Sequence, residues 1–385
     1  MNLLYILIPA LVAMLLSRIL IPLIILVTYK KRLFDPIDLR KQHHKIVPRL
    51  GGVAFAPIQC CVLVVTLVAI IKILQIDLNM QSWAILPYIM MLLCGLVILF
   101  IVGIGDDLIG IDYKWKFMVQ LVVASFLPLS GLWVNNFYGV AFIEEVSPWI
   151  GIPFTMFVVV LVINAVNLID GLDGLCSGVV AVGCAVLGCS FIFYGAWLHA
   201  LFAFITVGVL IPFFFINVFG MTNRRRQIFM GDTGSMTLGY SIAFLAISFA
   251  MDNTYIKPAS EGAIVLAFST LIVPVFDVAR VIYIRWKRRK PLFKPDRNHL
   301  HHFLLEKGLR HRSAMIAILS LTLFFCVFNM LAIKLINLNI IIIADILLWC
   351  LFIKSFIVKQ KRTLAEPKIV KSELPANGKI LKKIY

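Results

Sequence analysis

The chain has 385 residues, 61% of them hydrophobic and 14% charged, with a mean hydropathy of +0.98. A soluble fold carries about 45–50% apolar and about 25% charged residues, so this composition excludes a cytosolic enzyme, a secreted disulfide scaffold and a disordered tail protein. The net charge of +17 would point a soluble chain toward nucleic acid, but in an apolar chain basic residues flank membrane spans on the cytoplasmic side, and no nucleic-acid partner is expected.

A helix crosses the hydrocarbon with about 20 apolar residues. Eleven stretches read this way: 3–28, 52–74, 85–104, 117–134, 153–166, 175–195, 197–219, 233–251, 262–284, 313–333 and 336–357. The first is too long for a signal-peptide core, and its basic flank follows it at Lys30, Lys31 and Arg32, so it reads as an uncleaved span with its N-terminus outside. With that orientation the inner segments hold 31 of the 36 Lys and Arg residues, and the outer loops hold only Lys72, Lys257 and Lys334. The expected fold is an all-α polytopic integral membrane protein with eleven spans and a cytoplasmic C-terminus. One transmembrane domain covers 1–358, and a basic cytoplasmic tail covers 359–385. The eight cysteines lie in or beside apolar runs without zinc-like spacing and read as small core residues.

The polar clusters fall at the cytoplasmic ends of spans. Gly105–Leu108 reads G-D-D-L, followed by Lys116 and Gln120. Asp106 and Asp107 repel unless a divalent cation, a shared proton or a solvated loop compensates. Asn164–Leu175 reads N-A-V-N-L-I-D-G-L-D-G-L, with Asn164, Asn167, Asp170 and Asp173 recurring every three residues. Neighbours in that series share a helix face, but Asn164 and Asp173 point to opposite sides, so the helix is expected to break at Gly171 and Gly174. Gly231–Ser235 reads G-D-T-G-S and sets Asp232 at the start of a span, where a helix N-terminus suits phosphate or its metal ion; a plain N-cap is the alternative. Pro295–His302 reads P-D-R-N-H-L-H-H. Zinc is one option for His299, His301 and His302, but with Lys294 and Arg297 beside them a cationic or donor cluster for phosphate oxygens fits better. Arg49 precedes two glycines in a fifth polar patch, and Asp277 and Arg280 read as an internal pair that neutralises both. Carboxylates for a hard cation and basic residues for phosphates, on one face of a membrane protein, suit phosphoryl transfer to or from a membrane lipid. A transporter would instead place its polar residues near the midplane.

In this order the motifs resemble those of the polyprenyl-phosphate N-acetylhexosamine-1-phosphate transferases of bacterial envelope synthesis, from about His43 to Leu309. The resemblance implies an Mg²⁺-dependent enzyme (Mn²⁺ being an alternative) of the inner membrane. It would move a sugar 1-phosphate from a UDP-sugar to undecaprenyl phosphate and release UMP. It also implies Asp232 and Asn167 as metal ligands and Asp106 or Asp107 acting on the lipid phosphate. Asp170 and Asp173 would help form the nucleotide-sugar site, Lys116, His299, His301 and His302 would hold the diphosphate, and Asn164 and Arg49 would be further substrate-binding residues. The H-L-H-H form with D-R-N before it resembles the branch that initiates O-antigen, common-antigen and teichoic-acid synthesis from UDP-N-acetylglucosamine. Lipid I synthesis by a phospho-N-acetylmuramoyl-pentapeptide transferase is the alternative, and a homodimer is compatible. Pro274 is placed to kink the ninth span and open a groove for the prenyl chain.

Overall fold

The computed structural model describes residues 3–31, 33, 48–73, 80–220, 227–258, 260–289, 291 and 298–365. Within them the chain forms α1 (Leu4–Lys31), α2 (Phe55–Val68), α3 (Met80–Ile109), α4 (Tyr113–Leu129), α5 (Pro148–Ile169), α6 (Leu175–Phe193) and α7 (Trp197–Phe219). It continues as α8 (Gly231–Ala250), α9 (Ala263–Ser269), α10 (Ile272–Lys287), α11 (Leu300–Glu306), α12 (His311–Ala332) and α13 (Leu338–Ala365). A 3₁₀ turn at Gly51–Ala54 precedes α2, and a π turn at Ala69–Ile73 follows it. The described residues contain no strand, only one isolated bridge between Asn136 and Glu145.

Nine of the described helical segments are long and apolar enough to cross a membrane. α9 and α10 form a tenth candidate as a pair, bent by 72° across Thr270 and Leu271. The bend falls where Pro274 predicts it: the proline ring clashes with the carbonyl four residues earlier, that of Thr270. The predicted stretch 117–134 falls on α4, which starts at Tyr113, ends at Leu129 and is not one of those nine; its 17 residues span about 25 Å at the usual helical rise.

α8 is the most enclosed helix of the bundle. Every residue from Thr233 to Ala250 is buried, with α3 and α5 against it. This closeness depends on small residues: a Cβ on Gly52 would stand 2.2 Å from the Gly234 Cα, and one on Gly239 would stand 2.7 Å from the Ile163 Cα. Small residues let helix backbones approach where lipid leaves no hydrophobic drive between helices. Several interior polar side chains pair within the bundle, although both ring nitrogens of His199 and the Ser248 hydroxyl are buried without a hydrogen-bond partner among the described residues. Thr237 and Ser241 donate to carbonyls one turn back on α8, and Gln59 donates to Thr206 at 2.9 Å and Ser241 at 3.1 Å. α1 is the opposite case, with Leu7, Leu11 and Leu15 all exposed on its outer face. Cys176, Cys184 and Cys326 are core residues as expected, whereas Cys61, Cys94, Cys189 and Cys350 face outward, because an apolar surround accepts them as readily as a core does.

Candidate active site

The C-terminal ends of α3 and α5 meet the N-terminal ends of α4 and α8. α3 carries Asp106 and Asp107 on its last turns, and Gly110 closes it with a 2.9 Å bond to the Asp106 carbonyl. Asp112 then caps α4 by accepting the Lys114 N–H at 2.8 Å. That sharp reversal turns Lys116 back onto the end of α3. Its ammonium pairs with Asp106 and stands 3.6 Å from Asp232. The other Asp106 oxygen accepts the Ile111 N–H at 2.7 Å.

Asp107 does different work. Its Oδ1 accepts the Asp232 N–H at 2.7 Å, and its Oδ2 accepts the Thr233 N–H at 3.0 Å and the Thr233 hydroxyl at 2.6 Å. A carboxylate of α3 thereby caps α8, whose own N-cap position offers no side-chain bond. It satisfies orphan donors and complements the positive end of the helix dipole.

The asparagine–aspartate series divides as its spacing requires. Asn164 turns to α4, donating to Gln120 Oε1 at 2.7 Å and to the Val160 carbonyl at 2.8 Å. Asn167 turns to α8, its Nδ2 donating to Asp232 Oδ1 and, at 2.8 Å, to Ser235 Oγ. The helix ends at Ile169, and Gly174, at φ +77°, turns the chain into α6. Asp170 and Asp173 lie on the loop between, where Asp173 accepts Gln227 Nε2 at 3.0 Å. Burial, then the carboxylates of Asp232, Asp173 and Asp107, push Asp170 up to about 7, while Arg49 acts the other way. A carboxyl whose folded pKa is raised stabilises the fold fully below its unfolded pKa and loses that contribution as pH rises through the folded value. Without added divalent cation, the melting temperature is therefore expected to fall as pH rises from about 4 to about 7. Asp170→Asn should flatten that dependence; an unchanged slope in a pH series of melts would contradict the crowding of carboxylates described here.

Residues 48–52 strap the site from a third side. The Pro48 carbonyl accepts the Phe229 N–H at 2.8 Å, and Gly51 and Gly52 donate to the Phe229 and Met230 carbonyls. This holds Arg49 on the stretch leading into α8, near Asp170 and Asp232. Spacing gave no sign of Asn217, which sits in the apolar α7. Its Oδ1 accepts the Gly174 N–H, and its Nδ2 donates to the Ile228 carbonyl at 2.7 Å, clamping the aspartate loop to the stretch that leads into α8. A lone asparagine near the end of an apolar span was the available signal.

The histidine motif reaches the same end on α11. His299 and His301 are buried, and His302 is partly exposed. Burial, and next to it the His302 ring, push the His301 imidazole down to about 3. That shift favours the uncharged ring, the donor side of the cationic-or-donor reading, and its buried Nδ1 has no hydrogen-bond partner among the described residues. Arg224, Arg225, Arg226, Lys294, Arg297 and the tail from 366 lie outside the described residues.

Among the described residues no three His, Cys, Asp or Glu side chains form a metal cage. Asp232 and Asp106, with the Asn167 amide donating to Asp232, are instead a hard oxygen set short of a cage. That suits Mg²⁺, which uses one or two carboxylates and completes its shell with water and substrate phosphates. Zinc prefers nitrogen and sulfur in a closed tetrahedron, which the histidines do not form.

Membrane-length helices with an acidic, lysine-bridged cluster at their ends define a polytopic membrane protein. Residues 88–250 match the family described as glycosyl transferase family 4. A probable undecaprenyl-phosphate N-acetylglucosaminyl 1-phosphate transferase of Bacillus subtilis (strain 168) is 32% identical over 309 residues, 80% of this chain and 79% of that protein. Undecaprenyl-phosphate alpha-N-acetylglucosaminyl 1-phosphate transferases of Yersinia pestis and Escherichia coli (strain K12) are each 28% identical, over 300 and 294 residues, 76% of this chain and 74% of theirs. The chain belongs to this family, the polyprenyl-phosphate N-acetylhexosamine-1-phosphate transferases.

Proposed function

We propose that the protein transfers N-acetylglucosamine 1-phosphate from UDP-N-acetylglucosamine to undecaprenyl phosphate, releasing UMP and leaving the lipid-linked sugar that starts a cell-envelope glycan. The observation that carries this reading is the convergence of Asp106, Lys116, Asn167 and Asp232 from four helices at one end of a membrane bundle. The names of the relatives favour this acceptor and sugar over lipid I synthesis. We place that end at the cytoplasmic face of the inner membrane, with eleven spans, the N-terminus outside and the basic tail inside, because basic residues crowd the loops on that side.

Both reactants are anionic, and two unit charges about 4 Å apart repel by on the order of 4 kcal/mol at an effective dielectric near 20. Lys116 and Arg49 offset this, and the histidines hold the diphosphate through N–H donors. A lipid phosphate oxygen attacks the β-phosphorus of the UDP-sugar; its P–O bond forms as the bridging α–β P–O bond breaks, and UMP leaves with that electron pair. Of the two adjacent aspartates, we assign Asp106 to the lipid phosphate as acceptor of its remaining proton, because Asp107 is committed to α8. Asp170 and Asp173 shape the nucleotide-sugar side, and Asn164 acts at one remove by fixing Gln120. Asp232 and Asn167 would hold Mg²⁺, which when bound supplies charge neutralisation on the transferred phosphoryl group.

Purified protein in detergent with Mg²⁺ and undecaprenyl phosphate should release UMP from UDP-N-acetylglucosamine only when the lipid is present. Release from UDP-N-acetylmuramoyl-pentapeptide instead would move the protein to lipid I synthesis. Silence with a wide UDP-sugar panel, from folded protein, would end the transferase reading.

A further inference from the structure

Asp277 is 2% exposed on α10, one turn beyond the Pro274 bend. Its carboxylate gathers three donors. Oδ2 lies 2.9 Å from His299 Nδ1, while Oδ1 accepts the Leu300 N–H at 2.8 Å and Arg280 Nη2 at 2.9 Å. Arg280 also donates to the Asn298 carbonyl, and its guanidinium lies over the Phe303 ring. The pair is therefore more than a local neutralisation within one span: side chains of α10 hold residues 298–300, the entry to α11. A helix of seven residues does not stand alone in water. His299, at its N-cap position, makes no side-chain cap bond, and Asp277 receives the first amide instead.

The rings carry this placement to the aspartate loop. His299 and His301 lie nearly parallel, at 7° and 6.1 Å between centroids. His301 occupies the space beside Gly171, where a Cβ would stand 2.1 Å from its Nε2. Gly171 directly follows Asp170. A continuous train thus runs from Asp277 through His299 and His301 to the loop that carries Asp170 and Asp173.

Resting on the transferase reading above, we propose that Asp277 is a positioning residue for sugar-phosphate transfer, holding the start of α11 so that His301 closes against the Gly171 loop. A carboxylate facing Nδ1 also favours the tautomer with the His299 proton on that nitrogen. An asparagine matches the shape of Asp277 but places an NH₂ where one of the three donors now points.

The test compares full-length wild type, Asp277→Asn, His301→Ala and the double variant in lipid-dependent UMP release. Asp277→Asn is expected to lower kcat by about 30-fold or more, as small misplacements of catalytic groups do. KM for the UDP-sugar should stay within about threefold, the pattern of a transition-state loss. In the His301→Ala background the same change should cost less than about threefold, because coupled residues are not additive. A merely structural role would lower folded yield and add its loss in both backgrounds, and that additivity would overturn the proposal. So would wild-type kcat in Asp277→Asn. If Asp277→Asn does not purify as folded protein, Gly171→Ala probes the same contact from the loop side without touching α10. Its Cβ should displace His301 and reproduce the kcat loss, and full activity there would refute the train. An inactive wild type would sink the transferase reading and this role with it, whereas an active wild type with an indifferent Asp277→Asn would remove this role alone.

Discussion

Asp232→Ala is expected to abolish measurable turnover, a loss of at least about 10³-fold, the upper range for removing one preorganised electrostatic group. The protein should still insert and melt within a few degrees of wild type. The reason lies in what Asp232 contacts. Its side chain accepts Asn167 and faces Lys116, and it holds no part of the backbone. Removing it leaves the start of α8 capped by Asp107 and the bundle intact, while the oxygen set proposed for Mg²⁺ loses its central carboxylate. UMP release and a thermal melt on one preparation decide the matter. Activity within tenfold of wild type would remove Asp232 from the site.

Asp107→Ala should be equally inactive for another reason, and the melt should reveal it. The carboxylate accepts two backbone N–H groups and a hydroxyl at the buried start of α8. Losing a cap costs about 0.5–2 kcal/mol, and a buried donor left without a partner costs about 1–3 kcal/mol. The melting temperature should therefore fall well below that of Asp232→Ala. The first turn of α8 also carries Asp232, so the site should lose its geometry together with its stability. Equal melts for the two variants would contradict the capping role and return Asp107 to the candidates for chemistry on the lipid phosphate.

The separate fates of Asp106 and Asp107 show where sequence reasoning stops. G-D-D-L states that two carboxylates are adjacent, and adjacency on a helix turns them about 100° apart. Which one meets the lysine and which one meets α8 depends on where the partner helices lie, some 10 and 125 positions along the chain. The same applies to Asn164 and Asn167: one serves packing against α4 and the other the site, although both read alike in the motif. Asp277 was visible as half of an i, i+3 pair, but its bonds to His299 and Leu300 bridge 22 and 23 positions, which no local pattern encodes.

Membrane class, the rough limits of the spans, the break after Ile169 and the motif residues were all legible along the chain. Each is a local property: apolar length against the thickness of the hydrocarbon, glycine where a helix must turn, and polar residues too costly to leave in lipid without partners. Only the assembled bundle decided which carboxylate caps α8, that Lys116 bridges Asp106 and Asp232, and that the buried His301 ring lies against Gly171. Those outcomes depend on close backbone approaches such as that of Gly52 to Gly234, and on burial shared among distant segments. A linear pattern can name the groups that need partners, but the packing of helices determines which partners they meet.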